Sequence, residues 1–324
     1  MFKIGDIEIN NRIFLAPMAG YTNLPFRLMA KKFGAGAVFS EMISGKGLYY
    51  KDHKTAELML TSEEEAPAGI QLFGSDPEIL SQVVEDYINE TSFAFLDFNA
   101  GCPAPKIVKN GEGSALMKTP ELLGKVVQAI KKASHKPVIV KTRIGWDVDN
   151  INVRQIAEII EDAGADAHTI HGRTREAFYK GKANWDIIAE VKRQSHIPII
   201  LNGDIDSGDK AKQAFERTGC DAVMVGRASV GNPFIFEAIN HQLKTGKPLP
   251  EPSAEERIKT VIEHVEQVSL LKREEAAIKE MRKHLAAYTK GLKNATHLRN
   301  QIFKVVSRKD VLDLLNEYMQ ENYR

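Results

Sequence analysis

Eight short apolar runs, rich in β-branched residues, recur along the first two thirds of the chain at intervals of about 30 residues. Runs of this length that end at glycine, proline or polar residues predict buried strands. Most of them precede a segment with helical spacing, and this alternation indicates right-handed crossovers in a parallel sheet. The fold is therefore either an open doubly wound sheet or a closed eight-stranded barrel. The runs occupy residues 13–18, 37–41, 69–73, 93–99, 138–143, 167–171, 199–203 and 222–226.

The helices between these runs have recognisable start signals. Asp76-Pro77 and Thr119-Pro120 each place a capping residue before a proline, which is favoured at the first helical position. Apolar residues then return every three or four positions and form one stripe. These segments predict helices that pack on the sheet by one face.

The positions of the glycines favour the closed barrel. A dinucleotide-binding open sheet would carry Gly-x-Gly-x-x-Gly after its first strand, but residues 16–20 are Ala-Pro-Met-Ala-Gly. Glycines instead end the last two runs, at 202–204 (Asn-Gly-Asp) and 226–227 (Gly-Arg). Many eight-fold barrels bind a phosphate there, although either glycine alone would fit an ordinary tight turn. Together they predict an α/β fold, a (β/α)8 TIM barrel over residues 1–244.

The pattern changes after residue 244. Residues 245–252 include three prolines within five positions, which is typical of a semi-rigid linker. Residues 253–324 show only helical spacing, and Ser253 with Glu256 fits a capping box. We expect a small C-terminal all-helical domain of about four helices.

Cysteine usage and hydropathy indicate the cellular compartment in which we expect the protein. Two distant cysteines, Cys102 and Cys220, argue against a disulfide framework and favour a reducing compartment. No run approaches the roughly 20 apolar residues that cross a membrane, and residues 1–6 do not resemble a signal peptide. No His/Cys cluster has metal-ligand spacing. We therefore expect a cytoplasmic protein without membrane segment or metal, and a monomer.

The loop after the fourth run carries the strongest chemical signal. Residues 97–103 are Asp-Phe-Asn-Ala-Gly-Cys-Pro, and Gly101 and Pro103 stop any regular element. Asn99 and Cys102 are thereby placed at a C-terminal strand end, where α/β enzymes keep their functional groups. Cys102 suits an acid or a nucleophile; the alternative is a buried structural cysteine.

Polar residues at the other strand ends face the same predicted mouth. A phosphate site, a central lysine and glutamine, and an apolar Pro-Met-Ala edge suit flavin mononucleotide (FMN). Lys141 would stabilise negative charge near flavin N1 and Gln71 would bond the pyrimidine edge, although each has a simpler structural reading alone. The strand-end residues are Pro17, Met18, Ala19, Glu41, Gln71, Asn99, Cys102, Lys141, Arg143, His171, Arg173, Arg175, Asn202, Asp204 and Arg227.

Six segments form an ordered set across the chain. They are Ala16-Pro17-Met18-Ala19-Gly20-Tyr21-Thr22, Asp97-x-Asn99-x-Gly101-Cys102-Pro103, Lys141-x-Arg143-x-Gly145-Trp146, His171-Gly172-Arg173-Thr174-Arg175, Asn202-Gly203-Asp204-Ile205 and Gly226-Arg227. In order and spacing, this set resembles the signature motifs of the tRNA-dihydrouridine synthases, most closely the bacterial B-type subfamily. The resemblance extends over essentially the whole chain.

The resemblance implies a flavoenzyme that reduces the C5–C6 double bond of specific uridines in tRNA with NADPH. Cys102 would protonate C5 while flavin N5 delivers hydride to C6, and Asn99 and Arg143 would contact the substrate. A thiol with a pKa near 8.5 is mostly protonated at neutral pH, so Cys102 needs no activating histidine. The flavin would be held by Pro17, Met18, Ala19, Gln71, Lys141, His171, Asn202, Gly203, Asp204, Gly226 and Arg227.

Two positions depart from the family pattern. His168 stands at a strand position that is usually apolar, and we interpret it as a satisfied core histidine. Ala287 replaces a usual aromatic residue in the helical domain, which would weaken local packing or a tRNA contact. Cys220 precedes the last strand and is interpreted as structural.

The helical domain contains a basic stretch. Residues 279–309 hold nine basic residues and one acidic residue. Lys279, Arg282, Lys283 and Lys290 fall within about 100° on one side of a predicted helix, away from its apolar stripe. A charge run is often only a solvated face, but such a ridge fits a phosphate backbone, and we assign Lys279, Arg282 and Lys283 to tRNA.

Three neighbouring side chains could add to that contact. His284, His297 and Tyr288 would supply stacking or 2′-OH contacts to RNA, although Tyr288 also fits the apolar stripe.

Two other functions remain compatible with parts of the sequence. One is a flavin barrel that oxidises or reduces a small pyrimidine such as dihydroorotate; the basic domain and the Asn99-x-Gly101-Cys102-Pro103 motif argue against it. The other is a tRNA-binding protein that keeps the fold without the reaction.

Overall fold

Ten strands in two sheets lie within residues 2–323, the part of the chain that the computed structural model describes. Two short strands, β1 (Phe2–Ile4) and β2 (Ile7–Ile9), form an antiparallel hairpin. The other eight are β3 (Ile13–Leu15), β4 (Val38–Ser44), β5 (Ala68–Phe73), β6 (Phe95–Ala100), β7 (Val138–Arg143), β8 (Ala167–His171), β9 (Ile199–Asn202) and β10 (Ala222–Val225).

The eight strands form one parallel sheet that closes on itself. Each strand pairs with its neighbour in the chain, and β10 pairs with β3. A parallel bridge from Phe14 to Ala37 joins β3 to β4, and Leu15 N–H donates to Ala37 O at 2.9 Å. The predicted (β/α)8 barrel and its eight strands are thus confirmed, with ends that differ by a few residues.

The β1–β2 hairpin was not anticipated from the sequence. Its strands are three residues long, too short for a clear alternation. Ile4 and Ile9 are fully buried against Phe14 and Phe39 inside the barrel. The hairpin therefore covers the N-terminal end of the barrel, opposite the strand ends that carry the polar residues.

Helices cover the outside of the barrel and form the C-terminal region. Asp76 caps α4 as predicted, accepting from Glu78 N–H at 3.0 Å. Thr119 precedes α6 but makes no side-chain cap, because its hydroxyl faces Leu116 O. Within residues 2–323 the α-helices are α1 (Leu24–Lys32), α2 (Gly45–Tyr49), α3 (His53–Ala56), α4 (Pro77–Val83), α5 (Pro105–Val108), α6 (Pro120–Ala133), α7 (Val153–Asp162), α8 (Trp185–Gln194), α9 (Gly208–Thr218), α10 (Ile235–Thr245), α11 (Ala254–Leu271), α12 (Glu274–Tyr288), α13 (Ala295–Ile302) and α14 (Arg308–Tyr323).

Side chains inside the barrel change from apolar to polar along the strands. Phe95 on β6 and Ile139 on β7 belong to an apolar cluster at the N-terminal side. Two residues further along, Asp97 and Lys141 lie on the same inward faces, because side chains alternate along a strand. The carboxyl ends of the strands thus open into a polar mouth.

The helical region has its own core and packs on the barrel near α1. Helices α11 to α14 share an apolar cluster that includes Ile278, Met281 and Tyr288. Ser253 and Glu256 form the predicted capping box at the start of α11. At the junction with the barrel, Asn23 Nδ2 donates to Glu280 Oε1 at 2.6 Å. None of the helices described is long and apolar enough to span a bilayer.

Candidate active site

A cavity of about 860 Å³ opens at the carboxyl ends of the barrel strands, a size typical of ligand sites. The structure gathers every barrel residue that the sequence assigned to a site around it. Lys279, Arg282 and Lys283 lie on α12, outside the cavity lining. The assigned residues that line the cavity are Pro17, Met18, Ala19, Gln71, Asn99, Cys102, Lys141, Arg143, His171, Asn202, Gly203, Asp204, Gly226 and Arg227.

The loop that carries Cys102 is fixed by hydrogen bonds to its main chain. Asn99 Oδ1 accepts from the N–H groups of Gly101 at 3.1 Å and Cys102 at 2.8 Å. Ser114 donates to Cys102 O through its N–H and its hydroxyl, at 3.0 and 2.9 Å. Gly113 has φ +59°, and a Cβ there would lie 2.8 Å from Cys102 O. The thiol is therefore held on a rigid, closely braced loop.

Cys102 and Cys220 differ in their surroundings. Cys102 is half-buried at the cavity, and burial raises the pKa of its thiol, against smaller opposing effects of the Ala104 N–H and the charges of Arg143 and Lys141. The thiol is thus protonated at neutral pH, the form a proton donor requires. Cys220 is buried outside the cavity, and burial raises its pKa to about 11.

A carboxylate that the sequence motif contained, but that had no assigned role, lies beneath the loop. Asp97 is fully buried and its Oδ2 accepts from Gln71 Nε2 at 2.5 Å. Gln71 Oε1 in turn accepts from Asn99 Nδ2 at 2.9 Å. Burial raises the pKa of Asp97, while the Gln71 hydrogen bond and the charge of Lys141 oppose the rise.

Lys141 and His171 face the cavity from β7 and β8. Lys141 Nζ donates to Asn202 Oδ1 at 3.1 Å, and Asn202 Nδ2 donates to Met224 O at 2.8 Å. Burial lowers the pKa of Lys141, with Asp97 opposing it. Burial and the neighbouring cations hold the pKa of His171 well below its usual value, so this imidazole is neutral.

The glycine-rich side of the cavity lies after β9 and β10. Gly203 has φ +117°, and a Cβ there would lie 2.9 Å from Ala183 Cβ, so only glycine fits. Asp204 pairs with Arg173 at 2.6 Å and accepts from Ala183 N–H at 2.7 Å. The carboxylate of Asp204 therefore already has two partners inside the protein. Its Oδ1 also lies 4.0 Å from the exposed guanidinium of Arg227.

Arg143 binds main-chain groups in the structure. Its Nε donates to Gly101 O at 2.9 Å, and its Nη1 donates to Thr174 O and Phe178 O, both at 2.8 Å. Burial lowers the pKa of this guanidinium to about 10, so it stays charged at neutral pH. Arg143 therefore joins the Cys102 loop to the loop between β8 and α8.

Tyr179 is a cavity residue that sequence reasoning missed. It is 52% exposed, and the guanidinium carbons of Arg227 and Arg143 lie 4.7 and 5.7 Å from its ring centre. It belongs to the loop between β8 and α8, where no local pattern distinguishes a mouth residue from an ordinary loop residue. Arg173, named only as a strand-end residue, contributes by holding Asp204.

Two residues of the basic stretch, residues 279–309, donate hydrogen bonds to main-chain carbonyls of the protein. Arg282 donates to Val305 O at 2.7 Å, and Lys283 Nζ donates to Gly20 O. Lys283 Nζ also lies 4.5 Å from the ring centre of Tyr21, which lines the cavity. Within the basic stretch, residues 279–309, the exposed lysines that form no ion pair with described residues are Lys279, Lys290, Lys293 and Lys304.

The prediction that His284 contacts RNA is wrong. The ring is fully buried between Phe26 of the barrel and His264 of α11, with ring centres 5.5 and 4.9 Å away. Position 284 falls beside the apolar stripe of α12, and the approach of α1 covers that side as well. His297 is exposed, whereas Tyr288 is buried as its place in the stripe predicts.

The two positions that depart from the family pattern have structural explanations. His168 faces the helix layer, fully buried, with Nε2 2.8 Å from Thr142 Oγ1. Burial lowers its pKa to about 3, and its Nδ1 has no partner among residues 2–323. Ala287 packs directly on Gly231, where an added Cβ would lie 2.6 Å from Ala287 Cβ. The small residue permits this close approach of α12 to the loop after β10.

The fold and the site define an enzyme of the (β/α)8-barrel class, with its site at the carboxyl ends of the strands. A family model described as Dihydrouridine synthase (Dus) matches residues 14–324. The chain belongs to this dihydrouridine synthase family.

Similar proteins agree with this membership. A probable tRNA-dihydrouridine synthase from Rickettsia bellii is 40% identical over 93% of both chains. A tRNA-dihydrouridine synthase B from Vibrio vulnificus is 38% identical over 98% of both chains. A solved old yellow enzyme homologue from Zymomonas mobilis matches with a TM-score of 0.52 and 14% identity, over 79% of this chain and 94% of that one. This last likeness shows the shared fold.

Proposed function

We propose that the chain is an FMN-dependent tRNA-dihydrouridine synthase, which reduces the C5–C6 double bond of uridines in tRNA with electrons from NADPH. The observation that carries the proposal is the contact of the helical region with the cavity rim. Lys283 reaches Gly20 and Tyr21, so a basic surface adjoins a cavity with a protonated thiol. One chain supplies both parts, which supports a monomer, and the tRNA substrate supports a cytoplasmic location.

The size and charge of the cavity support a bound FMN. Gly203 and Gly226 line the cavity, where their main-chain N–H groups would bind a phosphate, and Arg227 adds an exposed positive charge beside them. Residues 17–19 form the apolar edge along which a flat ring would pack, and Lys141 would place a cation next to that ring. Gln71 and Asn202 would face its polar edge. A bound flavin supplies the hydride that the reduction needs.

Cys102 would donate the proton at C5 of the uracil. Its thiol borders the cavity and is kept protonated by burial, and its loop is braced on both sides. Asn99 Nδ2 uses one hydrogen for Gln71, and its other contact is Met42 Sδ at 3.9 Å. That second hydrogen would bind a uracil carbonyl. Arg143 would contribute by fixing the cavity walls.

The exposed lysines of the helical region would bind the tRNA backbone. No ion pair within residues 2–323 neutralises the positive charges of four exposed lysines, Lys279, Lys290, Lys293 and Lys304. Such contacts bind phosphate regardless of sequence and weaken as salt rises. The target uridine would leave its stack to enter the cavity, at a cost of a few kcal/mol that is smallest in a strained loop.

The test uses the purified, yellow protein with three candidate substrates. NADPH should bleach the flavin absorbance, and unmodified tRNA should restore it with formation of dihydrouridine, whereas free uridine and orotate should not. A protein that binds tRNA but carries no flavin would contradict the enzyme assignment. Restoration of colour by orotate alone would favour a small-pyrimidine oxidoreductase.

A further inference from the structure

Asp97 is a buried carboxylate without a salt bridge within residues 2–323. It is fully buried in the barrel interior, and its Oδ1 has no hydrogen-bond partner among those residues. Lys141, whose charge acts on Asp97, donates its hydrogen bond to Asn202 instead. Burying an unpaired carboxylate is costly, so its single short contact to Gln71 calls for a specific explanation.

A chain of hydrogen bonds links this carboxylate to the Cys102 loop. Gln71 Nε2 donates to Asp97 Oδ2 at 2.5 Å, and Asn99 Nδ2 donates to Gln71 Oε1 at 2.9 Å. Asn99 Oδ1 then accepts from Gly101 N–H and Cys102 N–H. The chain runs from Asp97 on β6 to Gln71 on β5, returns to Asn99 on β6, and ends at the main chain that carries the thiol.

The direction of every link depends on an acceptor at position 97. In its ionised form Asp97 only accepts hydrogen bonds, so Gln71 presents its amino group to Asp97 and its carbonyl to Asn99. Asn99 must then turn its amino group to Gln71, which leaves its carbonyl for the two loop N–H groups. With no acceptor at position 97, either amide is free to rotate, and rotation of Asn99 leaves those two N–H groups unpaired.

We propose that Asp97 is a positioning residue that orients Gln71 and Asn99 and thereby fixes the loop that carries Cys102. It does not touch the reacting atoms. The inference deepens the proposed function, since the same loop would deliver the proton to uracil, but its test needs neither flavin turnover nor tRNA.

The test measures the alkylation rate of Cys102 by iodoacetamide, from the mass of the peptide that contains it. Asp97→Leu removes the acceptor and should accelerate alkylation about five-fold, because loss of one hydrogen bond lets the loop leave its braced position. Asp97→Asn keeps an acceptor oxygen but adds an amino group that can donate to Gln71 in the reverse direction, so its alkylation rate should lie between those of the original protein and Asp97→Leu. Thr169→Val is the matched control, because Thr169 is equally buried inside the barrel and its hydroxyl has no partner among residues 2–323.

The outcomes separate the proposal from its alternatives. Unchanged alkylation in folded Asp97→Leu protein overturns it, as does an equal acceleration in Thr169→Val, which would indicate general loosening of the core. If Asp97→Leu does not fold, Gln71→Met breaks the next link, and an unchanged rate there overturns the proposal. If the original protein forms no dihydrouridine but Asp97→Leu still accelerates alkylation, the proposed function fails and the positioning role of Asp97 stands.

Discussion

The barrel mouth and its junction with the helical region both bury polar side chains, but they hold them differently. At the mouth, Gln71, Asn99 and Asn202 are bonded at both ends of their amides. At the junction, His264 and His284 are fully buried, and their ring nitrogens have no partner within residues 2–323. Their rings contact each other and Phe26.

This difference separates a chemical site from a packing site. Hydrogen-bonded amides cannot turn without losing partners, so the mouth has a defined geometry for ligands. The junction histidines act as neutral rings, because burial lowers the pKa of His264 to about 3 and that of His284 well below its usual value. Changes at the mouth should therefore affect turnover or loop structure, and changes at the junction should affect pH-dependent stability.

The largest expected effect is at the mouth. Cys102→Ser removes the proposed acid and should lower single-turnover dihydrouridine formation about a thousand-fold, within the usual range for general acids. Flavin content, measured by absorbance, should not change. Cys220→Ser is the control, because Cys220 is buried outside the cavity, and its rate should match the original protein. Equal rates in the two variants would show that Cys102 is not the proton donor.

A second test compares two arginines at the mouth, the hydrogen-bonded Arg143 and the exposed Arg227, by their effect on stability. Arg143→Met leaves three carbonyls without their donor and should lower the free energy of unfolding by about 3 kcal/mol. Arg227→Met, at a side chain 58% exposed, should change it by less than about 0.5 kcal/mol. Thermal or denaturant unfolding measures both. Equal losses would mean that the bonds of Arg143 do not brace the two loops.

The junction should respond to acid. The pKa of His264 is lower in the folded protein than in the unfolded chain, where it is about 6.5, so the unfolded state binds the proton first as pH falls. Stability is complete above about pH 6.5 and should fall below it, by about 2 kcal/mol at pH 5 from His264. His264→Phe should reduce this acid sensitivity, as followed by unfolding at pH 7.5 and 5. Exposed His135→Gln should leave it unchanged.

The smallest expected effect is on the exposed face of the helical region. Lys279→Glu with Lys290→Glu should weaken tRNA binding about five-fold and lower its salt dependence. These lysines give a cleaner test than Arg282 and Lys283, whose side chains also bond Val305 and Gly20. Lys132→Glu, exposed on α6, is the control. Filter binding at two salt concentrations measures the effect, and equal affinities for both variants would exclude this face.

The sequence alone determined the repeating architecture. Strand runs, helical spacing and the capping signals at Asp76 and Ser253 are local patterns, and each depends on residues a few positions apart. Because parallel strands end at one edge, the same patterns predicted that the polar strand ends, from residue 17 to residue 227, surround one mouth; all of them line the cavity except Glu41, Arg173 and Arg175. The β1–β2 hairpin escaped prediction because its strands are too short to show alternation.

Only the tertiary structure decided what each polar side chain binds. Arg143 has ordinary spacing in its motif, yet its partners are carbonyls from two other loops. Asp97 becomes the first link of a chain because β5 places Gln71 beside it. His284 lies in a basic segment of sequence, but α1 and α11 enclose it. These partners come from distant parts of the chain, and their approach is set by strand register and helix packing, which local spacing does not encode.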